Sequence, residues 1–98
     1  MTAYMIAFEV GCAISTGMGV DYADELGWHP AAPGGTQSAA AAAARLLGLN
    51  EEQTAMALSL AASNACGLRE NFGTMTKPFH AGNSSRGGVT GAMLVKRG

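Results

Sequence analysis

Charge is what this 98-residue chain has least of. Asp, Glu, Lys and Arg make up 13% of it, about half the usual share. The six Lys and Arg residues are scattered and the formal net charge is −1, so the basic stripe of a nucleic-acid binder is missing. Cysteine is limited to Cys12 and Cys66. They lie far apart in apolar, helix-like surroundings and read as buried free thiols, with a disulfide or a metal pair as the alternative. No Cys-x-x-Cys and no His-Glu-x-x-His occurs, so metal-ligand spacing is absent. The N-terminus has no basic stretch, which argues against a signal peptide. No apolar run reaches the ~20 residues of a membrane span: Glu9 interrupts the first, and Ala39–Ala44 is too short. Apolar and polar residues nowhere alternate as in a half-buried strand. These absences leave a cytoplasmic, all-α protein as the expectation, with neither nucleic acid nor membrane as partner.

What is present supports a folded chain. The apolar fraction is 48%, too high for disorder, and the length suits one helical domain spanning residues 1–98. Alanine and glycine make up a third of the residues, a composition suited to helices that approach closely. With so little charge to solvate its surface, the chain is expected to be covered by a second copy or by further parts of a larger protein. A homo-oligomer is the simpler case.

Four helices account for most of the sequence. The first, from about Ala3 to Thr16, is apolar almost all round, the pattern of a buried helix, with Gly17 and Gly19 as stops. Val20 to Gly35 reads as a long loop, because Pro30, Pro33, Gly34 and Gly35 oppose regular structure and because a loop this long is often functional. The second helix runs from about Gln37 to Leu47, capped by Thr36 or Ser38 and ended by Gly48. The third begins at Asn50, with Gln53 at capping-box spacing and Glu51 and Glu52 at the positive end of the helix dipole. Ala55, Leu58, Ala62, Ala65 and Cys66 form its apolar face, and Gly67 ends it; with the second helix it makes an αα-hairpin. A second loop holds residues 68–82, and the fourth helix opens near Asn83 or Ser84, where Gly87, Gly88 and Gly91 permit close contact with another helix.

Both histidines, and the one lysine away from the chain end, fall in the two loops. Lys77 precedes Pro78, which pushes its backbone from helical geometry. It reads as a point charge aimed at a carboxylate or phosphate, or as a solvated surface residue. His80, in Phe79-His80-Ala81-Gly82, suits an acid–base group or a pin that bonds a backbone carbonyl. His29, between Trp28 and Pro30, lies at a pocket edge or is a bystander. If the two loops meet, they present cations to a polyanion. Gly73-Thr74-Met75-Thr76-Lys77 is not a Walker A sequence, and no strand precedes it, so nucleotide is not the expected ligand.

Gly27-Trp28-His29-Pro30, the Ala39–Gly48 helix continuing as Arg45-Leu46-Leu47-Gly48-Leu49, Ala61-Ala62-Ser63, and the run from Asn71 through Lys77 and His80 to Gly82 together resemble the MmgE/PrpD family, in the same order over essentially the whole chain. The family includes enzymes that dehydrate 2-methylcitrate, decarboxylate cis-aconitate or epimerise iminodisuccinate. The resemblance implies an all-α domain, normally dimeric and completed by a smaller α+β lid. It implies di- or tricarboxylate substrates handled without a metal or organic cofactor, and catalytic roles at His29 and Lys77, with His80 in the same motif. A fragment-sized, truncated member with an inherited carboxylate site is therefore expected, acting, if active, as a cofactor-independent carbon–oxygen lyase. A non-catalytic module for self-association or carboxylate binding is the alternative. The chain departs from the family pattern at Ala31-Ala32-Pro33-Gly34-Gly35, where a Thr-Gly-Thr-Phe-Gly-like run is usual.

Overall fold

Glycine and asparagine set the sharpest boundaries in the chain. The computed structural model describes residues 1–19 and 21–98. Helix α1 spans Thr2–Met18 and ends at Gly19, whose φ of 76° suits only a residue without a Cβ. A single turn, α2, covers Asp21–Asp24, and α3 spans Ala31–Leu46. Gly48, at φ 69°, follows the end of α3. Helix α4 (Glu51–Ser63) opens with the expected capping box: Gln53 N donates to Asn50 Oδ1 at 2.9 Å, and Asn50 N donates to Gln53 Oε1 at 3.0 Å. A 3₁₀ turn at Arg69–Asn71 precedes the long α5, Thr76–Arg97. The fold is all-α. Among the described residues the one β-like feature is an isolated antiparallel bridge between Trp28 and Leu68, and no helix is long and apolar enough to cross a membrane.

Helix α3 is the hub. It packs most extensively on α5, then on α1 and α4, in a body of 38 × 25 × 24 Å. The buried set is made of small residues: Ala32, Ala40, Ala41, Ala44, Ala57, Ala61 and Ala92, with Thr36 the largest side chain fully out of solvent. Glycine brings backbones together at the crossings. A Cβ on Gly88 would lie 2.5 Å from Ala39 Cβ, Ala40 N and Thr36 O, so α5 crosses α3 there with no room for a side chain. At the far end Val95 joins Ala43, Ala57 and Ala92, partly covered by Leu47 and Leu49. Lys96 Nζ donates to Leu47 O at 3.2 Å, a cation at the negative end of α3.

Several sequence expectations are corrected. The loop expected over 20–35 begins outside the described residues and contains α2, and its last five residues, 31–35, belong to α3. Pro33 is the third residue of α3, where the backbone N–H has no intrahelical acceptor, so proline costs no hydrogen bond. Gly34 and Gly35 are packing residues: added Cβ atoms would lie 2.7 Å from Ser15 Oγ and 3.4 Å from Ser84 Cβ. Thr36 is therefore not a cap but sits inside α3, with Oγ1 donating to Ala32 O at 2.7 Å. The fourth helix starts at Thr76, not near Asn83, and Pro78 is again its third residue. Lys77 and His80 are helical as a result, and the extended preference of a pre-proline residue is overridden in that first turn. Helix α4 stops at Ser63 with Asn64 as its cap, so Gly67 is not its terminator, and its buried residues are Ala57 and Ala61 rather than the predicted face. Only Ala3 and Gly11 are buried on α1, because the rest of the assembly covers one narrow side of it. Cys12 and Cys66 are free but exposed rather than buried.

Candidate functional site

Two short stretches of backbone bring the candidate residues together. Gly27-Trp28-His29 runs antiparallel to Gly67-Leu68-Arg69: His29 N donates to Gly67 O at 2.9 Å, and Arg69 N donates to Gly27 O at 2.8 Å. His29 O in turn accepts from Ala32 N at 2.9 Å, which seats His29 at the entry to α3. Asp24 forms an ion pair with Arg69, tying α2 to the same strap.

His80 reaches this place from the second turn of α5 and is 4% exposed. Its backbone is held by Ser84, whose Oγ lies 2.8 Å from His80 O and 3.1 Å from Ala32 O, so the start of α5 is pinned to the start of α3. The imidazole lies against Gly67, where an added Cβ would sit 3.2 Å from His80 Cγ and 2.6 Å from Ala32 Cβ. Gly67 also has φ 147°, a backbone that L side chains rarely adopt. Glycine is thus required there twice over.

The two imidazoles meet directly. His29 Nδ1 and His80 Nδ1 are 2.8 Å apart, with ring centroids at 5.1 Å. Phe72 packs edge-on against His29 at 4.9 Å. Lys77 Nζ lies 4.5 Å from the Phe72 ring centroid, a cation–π distance; Arg69 approaches the same ring at 5.8 Å. His29, Lys77 and His80 therefore share one cluster at the N-terminal ends of α3 and α5. The His29 pKa lies below its usual 6.5, first because burial disfavours the cation and then because His80 and Lys77 add positive potential. The lowered pKa favours the neutral form of the His29 imidazole at neutral pH, and the Lys77 side chain shares its cluster through Phe72: groups that can exchange a proton and attract an anion.

Sequence reasoning took Gly67 for a helix stop and did not single out Phe72 or the Asp24–Arg69 pair. Phe72 lies in the quoted motif, and its position five residues before Lys77 carries no helical or strand periodicity that would reveal a shared ring. Trp28, the sequence neighbour of His29, lines a separate apolar cavity of about 320 Å³ with Ile14, Met18 and Pro33. None of the three candidate residues lines that cavity. Among the described residues no group of three or more His, Cys, Asp and Glu is placed to hold a metal ion.

Residues 1–98 match the MmgE/PrpD N-terminal domain. The chain is 35% identical over 99 residues to cis-aconitate decarboxylase of Homo sapiens, covering 96% of this chain and 20% of that protein. It is 35% identical over 100 residues to cis-aconitate decarboxylase of Aspergillus terreus, covering 98% and 20%. A cis-aconitate decarboxylase-like protein of Aspergillus oryzae is 33% identical over 100 residues, covering 100% and 20%. The chain spans about a fifth of the length of these curated relatives.

Proposed function

The chain belongs to the MmgE/PrpD family, and on that premise we propose that it carries part of a di- or tricarboxylate site, with cis-aconitate as the reference ligand. The observation that supports the reading is the neutral His29 imidazole placed beside the Lys77 ammonium at the joined ends of α3 and α5. Lys77 anchors one substrate carboxylate as a point charge. His29 contacts a second carboxylate or handles the proton. A polyanion beside His29 raises its proton affinity, so binding draws one proton from solution onto the ring. In a decarboxylation the bond to one carboxylate carbon breaks, CO2 leaves, and the electron pair stays on the neighbouring carbon. Lys77 stabilises the charge as it develops, and the His29 imidazolium delivers its proton to that carbon. The names of the curated relatives favour this reaction over the dehydration of 2-methylcitrate. This chain spans about a fifth of the length of those relatives, so binding is the property to test first in it.

Titration calorimetry with cis-aconitate, citrate and 2-methylcitrate does so. Cis-aconitate binds, and Lys77→Ala weakens it by about tenfold or more, the size of a lost charge-assisted contact. Unchanged affinity in Lys77→Ala sinks the anchoring role.

A second reading rests on a different observation. Tyr4, Met5 and Phe8 are 68%, 60% and 59% exposed on one helix, and self-association of the chain through α1 covers them. Sedimentation equilibrium decides this: a chain that stays monomeric at high concentration removes it.

A further inference from the structure

Two histidines joined through the same ring nitrogen constrain each other in a way that neither does alone. A hydrogen bond between His29 Nδ1 and His80 Nδ1, 2.8 Å apart, needs one N–H and one bare nitrogen. When both rings are neutral, the donor ring therefore has a bare Nε2 and the acceptor ring carries its proton on Nε2. One extra proton is accommodated at the bare Nε2 with the bond intact. A second is not, because both Nδ1 atoms would then be N–H donors facing one another. The pair is a unit that exchanges one proton and keeps its geometry while doing so.

The surroundings make this arrangement rigid and asymmetric. His80 is buried, its backbone carbonyl is bonded by Ser84, and its ring is backed by Gly67. His29 is only partly buried and is flanked by the edge contact with Phe72. The charges acting on His29 are those of His80 and Lys77 on α5; on the strap, Arg69 is engaged with Asp24. The fixed partner is thus His80, and the ring free to meet a ligand is His29.

We propose that His80 is a positioning residue for His29: through the Nδ1–Nδ1 hydrogen bond it holds the imidazole plane and commits Nε2 of His29 to the bound carboxylic acid. This rests on the carboxylate-site reading for its ligand, but the pairing is a property of the free chain. His80 does not touch substrate. It selects the tautomer of the residue that does, and the shared proton lets His29 present either a bare Nε2 or an Nε2–H without leaving its place.

Nitrogen-15 NMR of the histidine side chains in the ligand-free chain tests the pairing directly. The expected result is a measurable coupling between the two Nδ1 nuclei across the hydrogen bond. In His80→Leu the coupling is lost, and the His29 titration shifts up towards 6.5. His80→Asn, whose amide stands where Nδ1 was, keeps His29 oriented without a second imidazole, and guards against His80→Leu failing to fold. No Nδ1–Nδ1 coupling in the wild-type chain, or a His29 titration and tautomer balance unmoved in a folded His80 variant, overturns the proposal. If the coupling is present but cis-aconitate does not bind, the pairing stands and the carboxylate site falls. If cis-aconitate binds, its loss of affinity in His80→Asn is smaller than in His80→Leu; equal losses show that His80 acts by filling space and overturn the positioning role.

Discussion

The seam between α3 and α5 and the outer side of α1 invert the usual relation between side-chain size and burial. Along the seam, between His80 near one end and Val95 near the other, the buried residues are alanine, glycine, serine and threonine, and the backbones are close enough that Gly88 touches α3 directly. On α1 the large apolar residues Tyr4, Met5 and Phe8 face outward, although burying each of them would contribute about 1.5–3 kcal/mol. Buried alanines offer far less area per residue, so the seam gains stability from close backbone approach and dispersion contacts rather than from bulky apolar surface. Tight fit therefore holds the helices in register, while large apolar side chains of α1 stay exposed. The candidate site lies at one end of the seam, where small residues let two helix starts and a strap converge.

The largest way to break this contrast is to put a side chain into the seam. Gly88→Ala places a Cβ at 2.5 Å from two backbone atoms of α3 as well as Ala39 Cβ, and backbone cannot swing aside as a side-chain tip can. We expect a loss of about 3 kcal/mol, the upper end for overpacking, read as a drop in melting temperature of roughly 4 °C or more per kcal/mol for a chain this size. A melting temperature within a few degrees of wild type would show that the seam is looser than its geometry states.

Gly67→Ala sharpens the contrast at the site end. It meets both a clash with Ala32 and a φ of 147°, a strain of about 1–3 kcal/mol, and it pushes on the His80 ring. Chemical denaturation should show that loss, and histidine NMR should show the His29–His80 bond weakened in the same variant. Stability lost with the histidine pair unmoved would separate the strap from the site.

The pH dependence is the next effect in size. His29 has its folded pKa below 6.5, so the unfolded chain binds the proton more readily. The stability associated with neutral His29 is present above about pH 6.5 and is lost as pH falls through the lower folded value. Denaturation midpoints measured through that window should fall in the wild type and change less in His29→Asn. Parallel profiles would mean that other groups govern the slope.

These effects also explain what could be read from the sequence and what could not. The Asn50–Gln53 capping box and the Gly48 stop were legible because their physics is local: a side chain bonds a backbone two or three positions away, or a residue lacks a Cβ. Lys77, His29 and His80 could be picked out as candidates because basic side chains are rare in this chain. Helix starts at Ala31 and Thr76 were not, because Pro33 and Pro78 each occupy a first-turn position where proline is as well tolerated as in a loop. Gly34 and Gly35 break helices in isolation but serve α3 by admitting Ser15 and Ser84. Long-range contacts such as Asp24 with Arg69, or Phe72 with His29, leave no periodic trace. The burial of α1 was misjudged because apolar periodicity reports what a helix can cover, not what covers it.

The smallest expected effect tests the other half of the contrast. Phe8 is 59% exposed on α1, and substitutions at such positions usually change stability by no more than about 0.5 kcal/mol. Phe8→Glu should therefore leave the melting temperature of the dilute chain nearly unchanged, in opposition to Gly88→Ala, which removes no apolar surface at all. The same variant should abolish any concentration-dependent association, because a carboxylate placed in an apolar contact between copies must be desolvated without a partner. If Phe8→Glu instead lowers the melting temperature as far as Gly88→Ala does, the outer side of α1 is packed within the single chain, and the division between a small-residue seam and an uncovered apolar face fails.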